Sequence, residues 1–193
     1  MNGEGIETPS SKLATAQATL GLAVRINAEV VAGRLRRTVF EREVVLHTGG
    51  TGLVLPRHPQ GTRADLQSGT QNLVQIALSA SALTADETLG EVYGPLDSDT
   101  DRNRWSLRLM VYHLRNAFAR NPWRPTWRIF KKQHIGTFPM VLDDGTEFVF
   151  DTSHLHGDGV KPEQVGGLEF WVKLLQHFER ALSRASRGPQ VPA

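Results

Sequence analysis

The stretch RWSLRLMVYHLRNAFARNPWRPTW, residues 104–127, decides the fold class of this chain. Four apolar side chains recur in it at spacings of four, three and four residues: Leu107, Val111, Leu114 and Phe118. An α-helix advances about 100° per residue, so these side chains share one stripe of its surface. The spacing therefore predicts an amphipathic helix that buries this stripe in a core.

Signals at both ends bound this helix. Asp97, Asp99 and Asp101 precede it, where carboxylates accept hydrogen bonds from free backbone N–H groups and favour the positive end of the helix dipole. Pro122 disfavours helical backbone in the residue before it. The helix is therefore predicted to end near Arg120.

The same region carries charge of one sign. Residues 102–142 contain no Asp or Glu, although nine of the 22 Lys and Arg residues of the chain lie there. Such a field attracts anions, and aromatic side chains can stack on unpaired bases. The sequence predicts binding of RNA or another phosphate-bearing ligand through Arg104, Arg108, Arg115, Arg120, Arg124 and Arg128. The alternative is that the tryptophans belong to the core and the arginines pair with acidic residues elsewhere.

Residues 114–123, LRNAFARNPW, resemble the motif of HEPN-fold proteins, which are helical bundles found in many prokaryotic RNases, toxins and defence systems. In that family an Arg, usually followed by a polar residue, precedes a His by a few positions. The resemblance implies metal-independent RNA cleavage, in which Arg115 binds the phosphate, Asn116 orients it and a His moves the 2′-OH proton. It also implies a homodimer with a shared site.

The chain departs from that motif at the His, because Arg120 stands near the expected position. Arginine keeps its proton near neutral pH, so it can neutralise a phosphate but cannot act as a general base. His113 lies about 160° from Arg115 around the helix and cannot join it in one site. His154 or His156 could supply the proton transfer if their loop folds back over Arg115. Activity is otherwise expected to be weak or lost.

Other helices are predicted on both sides of this one. Residues 11–37 follow a helical period and form one long helix or two short ones. Residues 38–46 form a strand or extend that helix. A helix over 70–83 is followed by a second one, because Thr84 and Glu87 have the spacing of a capping box. A strongly amphipathic final helix buries Leu168, Trp171, Leu175, Phe178 and Leu182.

A β-hairpin is predicted at about residues 127–150. Strands over 127–131 and 137–142 precede Asp143-Asp144-Gly145, which favours a tight turn into the strand 147–150. The fold class is thus mainly α, a HEPN-like helical bundle with an inserted β-hairpin. One domain spans residues 11–185, between a disordered N-terminus (1–10) and a flexible tail (186–193).

Composition narrows the classes of protein. The chain has 193 residues, a formal charge of +2 and no cysteine, so disulfides and thiolate metal sites are excluded. It has neither a long apolar run nor a secretory signal pattern, which predicts a cytoplasmic protein without a membrane partner. Residues 48–61, with glycines at 49, 50 and 52, lack the P-loop and Rossmann spacings and are predicted to form a turn or flexible loop. No cofactor is expected.

A second cluster suggests different chemistry. Asp151, His154, His156 and Asp158 are oxygen and imidazole groups of the kind that bind Zn²⁺ or Mn²⁺, although no helical metal motif accompanies them. The first hypothesis is a HEPN-like RNA-binding or ribonuclease-type protein of a toxin–antitoxin or defence system. The alternatives are a non-enzymatic bundle that pairs with another protein, and a metal-dependent hydrolase using His154 and His156.

Overall fold

The computed structural model describes residues 8–35, 38, 44–48, 51–55 and 62–186. Most of them are helical, which confirms the mainly α class. In chain order the elements are α1 (Pro9–Val31), β1 (Val44–Thr48), β2 (Thr51–Leu55), α2 (Arg63–Tyr93), α3 (Arg102–Arg120), β3 (Thr137–Val141), β4 (Glu147–Asp151) and α4 (Gly167–Ser186). Single 3-10 turns lie at Leu96–Ser98, Lys132–His134 and Pro162–Val165.

The helices form a layered bundle in which α1 packs against both α2 and α4, and α2 also packs against α3. One cluster of buried side chains includes residues of all four helices and of the β3–β4 hairpin. Trp171 of α4 lies at its centre, with the indole N–H donating to the Ser81 hydroxyl of α2 at 2.9 Å. A buried indole needs such a partner, so this contact fixes α4 against α2.

Helix α3 forms as the sequence predicts. Its apolar stripe is buried from Leu107 to Phe118, and Met110 beside it is buried too. Asp101 is the N-cap, with its carboxylate accepting from the Arg104 N–H at 3.0 Å. The helix ends at Arg120, as expected from the proline that follows.

The predicted hairpin exists, but it is shorter at its start. β3 pairs antiparallel with β4, with Thr137 opposite Asp151 and Val141 opposite Glu147. The predicted strand over 127–131 is wrong, because only Thr126 forms a bridge, with Gly159. Trp127 instead exchanges backbone hydrogen bonds with the loop at 157–158, and its buried ring packs against Phe150. Core packing of this ring, rather than sheet pairing, sets the conformation of this segment.

Helix α2 corrects another prediction, since one helix of 31 residues spans both predicted helices. Its capping box belongs to Thr62 and Asp65 at the true N-terminus, not to Thr84. Leu73 and Ile76 of this helix are exposed, while Thr70, Ala77 and Ser81 are buried. Tertiary packing against α1 and α3 selected a face of small side chains that a hydrophobic pattern does not reveal.

The first part of the chain differs from expectation in three places. α1 begins at Pro9 with Thr8 as its N-cap, inside the segment predicted to be disordered, and it is a single helix that ends at Val31. β1 confirms a strand within 38–46 for residues 44–46, whereas residues 39–43 lie outside the described residues. Residues 51–55, predicted as loop, form β2, which pairs with β1 so that Thr48 faces Thr51. Residues 1–7 and 187–193 also lie outside the described residues.

Candidate nucleic-acid interface

Two arginines in the first turns of α3, Arg104 and Arg108, converge on one internal carboxylate. The Asp99 carboxylate is fully buried and accepts from Arg104 Nη2 at 2.7 Å and from Arg108 Nη1 at 2.8 Å. Arg108 is only 5% exposed and also donates to the Gly94 carbonyl. Both guanidiniums lie over the Tyr93 ring, at 4.5 Å for Arg104 and 5.7 Å for Arg108. Arg108 is therefore part of the core, which corrects its assignment to an RNA-contacting surface.

Asp99 is ionised despite its burial. Burial alone would raise the pKa of its carboxyl, but hydrogen bonds from Arg104 and Arg108 outweigh this and lower the pKa to about 2. The three charged groups thus form one internal unit that ties the 94–99 turn to α3. The sequence analysis treated Asp99 only as a charge before a helix, and no local spacing identified its two partners.

Arg115 and Asn116, the two residues that match the HEPN motif, lie in contact. Arg115 Nη1 donates to Asn116 Oδ1 at 2.8 Å. The Arg115 side chain is 36% exposed, and its Nε lies 3.6 Å from the Asp86 carboxylate of α2. That distance is too long for a hydrogen bond, and the buried Nε has no other acceptor. The charge of Arg115 is therefore partly neutralised, but no hydrogen bond to a carboxylate holds its side chain in place.

Asp86 borders a cavity of about 340 Å³ between α2 and α3, which Arg108 and Tyr112 also line. Burial raises the pKa of the Asp86 carboxyl, and the positive charges of Arg115 and Arg108 oppose that effect. The carboxylate accepts no hydrogen bond from another described residue. Nothing local in the sequence relates Asp86 to Arg115, because the two residues lie on different helices.

The end of α3 and the segment after it present free cations. Arg120, Arg124 and Arg128 are exposed, and none of them forms an ion pair within the described residues. Residues 102–142 contribute no carboxylate to this surface. We call these three arginines the distal basic surface. It combines three of the six arginines that the sequence assigned to nucleic-acid binding.

The aromatic residues of this region divide between core and surface. Trp127 is fully buried and donates its indole N–H to Gln164 at 2.8 Å, whereas Trp105 is half-buried against Phe138. Trp123, by contrast, is 54% exposed and Phe130 is 71% exposed. Trp123 and Phe130 are therefore the candidates for stacking on a base, since Trp127 belongs to the core and Trp105 is half-buried.

The histidine of α3 lies in the core of the molecule. His113 is buried, with its ring 5.0 Å from that of His134 in an edge-to-face contact. Burial lowers the pKa of His113 to about 4, and His134 acts in the same direction. The nearby Arg128 carbonyl opposes the shift, but neither ring nitrogen meets hydrogen-bond geometry. His113 is thus a neutral core residue and cannot replace the missing motif His.

The loop after β4 holds the two other candidate histidines. His154 is exposed, and His156 accepts the Ile129 N–H at Nδ1, at 3.2 Å, while its ring contacts Phe130. The Asp151 carboxylate accepts from the Ser153 N–H. In the part of the chain that the structure describes, no three His, Asp or Glu side chains are placed to hold one metal ion. Within the described residues, this loop therefore lacks the set of ligands that the alternative, a metal-dependent hydrolase, would need.

Comparison of the chain with protein families, curated proteins and solved structures finds no match. Among residues 8–35, 44–48, 51–55 and 62–186, no helix has the length and apolarity to cross a bilayer. The side chains of α3 and of the segment that follows it are therefore the basis for a functional proposal.

Proposed function

We propose that this protein is a HEPN-like RNA-binding protein whose capacity for cleavage is weak or lost. The observation that carries the proposal is the distal basic surface, in which Arg120, Arg124 and Arg128 are exposed without acidic partners in the described residues. Guanidiniums free of internal partners are available to phosphates, and Arg binds phosphate through two parallel hydrogen bonds.

Arg115 lies five residues before Arg120 on α3 and faces α2. Its contact with Asn116 matches the arrangement that the resemblance implies, with one side chain for the phosphate and the next to orient it. Asp86 weakens the positive charge there but leaves the guanidinium open to solvent. A phosphate that approaches Arg115 would therefore compete with a long ion pair rather than with a saturated one.

Weak or absent cleavage follows from the proton-transfer groups. Arg120 cannot accept a proton, and His113 is in the core. His156 uses Nδ1 to accept a backbone N–H, so the neutral ring carries its proton on Nε2 and offers no free lone pair. Within this chain that leaves His154, on an exposed loop, or a His from a second copy of the proposed homodimer.

A titration with single-stranded RNA at two salt concentrations tests the binding. We expect measurable affinity that falls steeply as salt rises, because each Arg–phosphate contact releases counterions. Arg120→Gln combined with Arg124→Gln should reduce both the affinity and its salt dependence. Arg25→Gln, which removes an exposed arginine from α1, is the matched control. The absence of salt-sensitive binding in the unmodified protein would contradict the proposal.

The ancestral chemistry can be tested by restoring the motif. Arg120→His places an imidazole where the resemblance expects the proton-transfer group, so metal-independent RNA cleavage should appear or rise. The measurement is cleavage of labelled RNA in the presence of a chelator. Adding Arg115→Ala to the same variant should abolish the gained activity, whereas cleavage that survives it would indicate a contaminating nuclease.

One observation favours the interaction-protein alternative. The α1 and α2 helices expose Leu22, Leu73 and Ile76, and a groove of about 320 Å³ lies between these helices. Exposed apolar side chains of this size are common at protein contacts. Retained partner binding after loss of all distal arginines, together with no RNA affinity, would favour this function.

A further inference from the structure

The loop that follows α3 holds the backbone that carries an exposed indole. Asn121 Oδ1 accepts from the Trp123 N–H at 3.0 Å and from the Arg124 N–H at 3.1 Å. Pro122 and Pro125 restrict the backbone on both sides of this turn. The Trp123 side chain therefore projects from an ordered turn rather than from a free loop, so ligand binding costs little further backbone entropy.

The exposure of Trp123 is unusual within this molecule. Trp127 and Trp171 are fully buried and donate their indole N–H groups to Gln164 and Ser81. The Trp123 side chain has neither a hydrogen bond nor a ring contact with another described residue. Burial in this chain's own core therefore does not explain why a tryptophan occupies the position.

The charge around the ring indicates what could cover it. Arg120 precedes it at the end of α3 and Arg124 follows it, and both are exposed cations without ion pairs in the described residues. An exposed aromatic ring that is flanked in the sequence by exposed cations is suited to a ligand that alternates flat rings with negative charges. An unpaired nucleic-acid strand has that composition, whereas in a duplex the base faces are covered by neighbouring bases.

We propose that Trp123 is a base-stacking residue and that the ligand of the distal basic surface is single-stranded RNA. This inference rests on the proposed function and adds its substrate class. An unpaired base stacks on the indole while the adjoining phosphates contact Arg120 and Arg124. Binding through phosphates alone would accept duplex and single strand alike, so the indole supplies the preference for the unpaired form.

The experiment compares an unstructured oligouridylate with an RNA duplex of equal length, by fluorescence anisotropy at low and moderate salt. Trp123→Ala should weaken binding of the single strand by about tenfold or more, since stacking on one aromatic ring contributes that much per base. Duplex binding should stay within about twofold of that of the unmodified protein. Trp123→Phe, which keeps an aromatic face, should recover most of the single-strand affinity.

The outcomes separate this inference from the function beneath it. If the unmodified protein binds neither RNA in a salt-sensitive way, the proposed function fails and the inference with it. If it binds RNA but Trp123→Ala leaves the single-strand affinity unchanged, or weakens both RNAs equally, only the stacking role is overturned. An alanine variant that loses self-association instead would identify the indole as a protein contact and would also overturn it. Unchanged thermal unfolding of both variants confirms that the turn is intact.

Discussion

The two ends of α3 use the same residue type in opposite ways. At the N-terminal end, Arg104 and Arg108 converge on the buried carboxylate of Asp99 and stabilise the fold. At the C-terminal end, Arg120 is exposed and has no acidic partner in the described residues. Arg115 lies between them along the helix and is intermediate in its charge pairing, since it faces Asp86 at 3.6 Å while part of its side chain remains in solvent.

The difference shows that a run of like charges in a sequence does not measure the charge available to a ligand. The acid-free window begins at residue 102, and Asp99, which neutralises Arg104 and Arg108, lies just before it. A helix start brings such preceding residues back over the first turns. The far end of α3 is followed by more cations instead, so its charge stays exposed. The comparison can be tested by removing each carboxylate in turn.

The largest effect is expected for Asp99→Asn. Removing the charge would leave Arg108 buried with only the Gly94 carbonyl as a strong acceptor, which should lower the free energy of unfolding by about 3–5 kcal/mol. Chemical denaturation followed by circular dichroism measures this. Asp101→Asn is the matched control, because Asn is an equally good N-cap and the site is exposed, so its stability should change little.

The acid limb of the stability curve gives a second measurement of the same unit. The native pKa of Asp99 is about 2, below the ordinary value of 3.8, so the unfolded chain binds more protons between these values. Its stabilising contribution is complete above about pH 4 and is lost as the pH falls toward 2. Asp99→Asn should flatten this limb. An unaltered limb in that variant would show that Asp99 is not held as described.

Asp86→Asn should act in the opposite direction and by less. Because burial raises the pKa of Asp86, its charged form is disfavoured in the native state, and stability falls as the pH rises through that pKa. The variant should be as stable at neutral pH, or up to about 1 kcal/mol more stable. RNA affinity should rise severalfold, because Arg115 loses a competing charge. A large loss of stability would instead place this pair with Asp99 as a structural unit.

The smallest effect on stability is expected for Arg120→Gln. An exposed side chain without an internal partner contributes little to folding, so the midpoint of denaturation should shift by less than about 0.5 kcal/mol. Arg108→Gln, the same change on the same helix, should be strongly destabilising, because it removes one of the two arginines that compensate the buried Asp99. Similar losses for both would remove the distinction between the two ends of α3.

Much of the fold can be predicted from hydrophobic periodicity, in elements that have one buried face and one solvent-exposed face. The stripe from Leu107 to Phe118 and the face of α4 around Trp171 are predicted because each contrasts with polar residues at helical spacing. The Asp144-Gly145 turn identifies the β3–β4 hairpin for a similar reason. Gly145 has φ +79, the left-handed conformation that such a turn requires.

The rest depends on partners that are distant in sequence. Helix α2 buries Thr70, Ala77 and Ser81, so its core face carries little hydrophobic signal. Segment 127–131 has the composition of a strand, but the core packing of Trp127 competes with that propensity and wins. The sequence predicts a strand or a helix extension over 38–46 and a loop over 48–61, whereas β2 at Thr51–Leu55 pairs with β1.

In the candidate site, too, some features can be predicted from the sequence and others cannot. The exposure of Arg120 agrees with its place at the end of the helix, whereas Arg108 on the same helix is buried. The internal partners were not predictable, since Asp86 lies on α2 and Asp99 in a turn. Which tryptophan is exposed also depended on the path of the chain after Pro122. The charge and type of a residue are known from the sequence, whereas the exposure of its side chain to a ligand depends on the whole fold.

The packing of α1 against α4 has a consequence for how the chain assembles. Gln17 Nε2 reaches Glu179 Oε2 at 3.5 Å across a separation of 162 residues, and α1 also packs on α2. A folding intermediate with contacts only between elements close in sequence can therefore pair α1 with α2. The other face of α1 stays exposed to solvent until α4 packs against it. Closing so long a loop is entropically costly, so this last docking step should govern the folding rate.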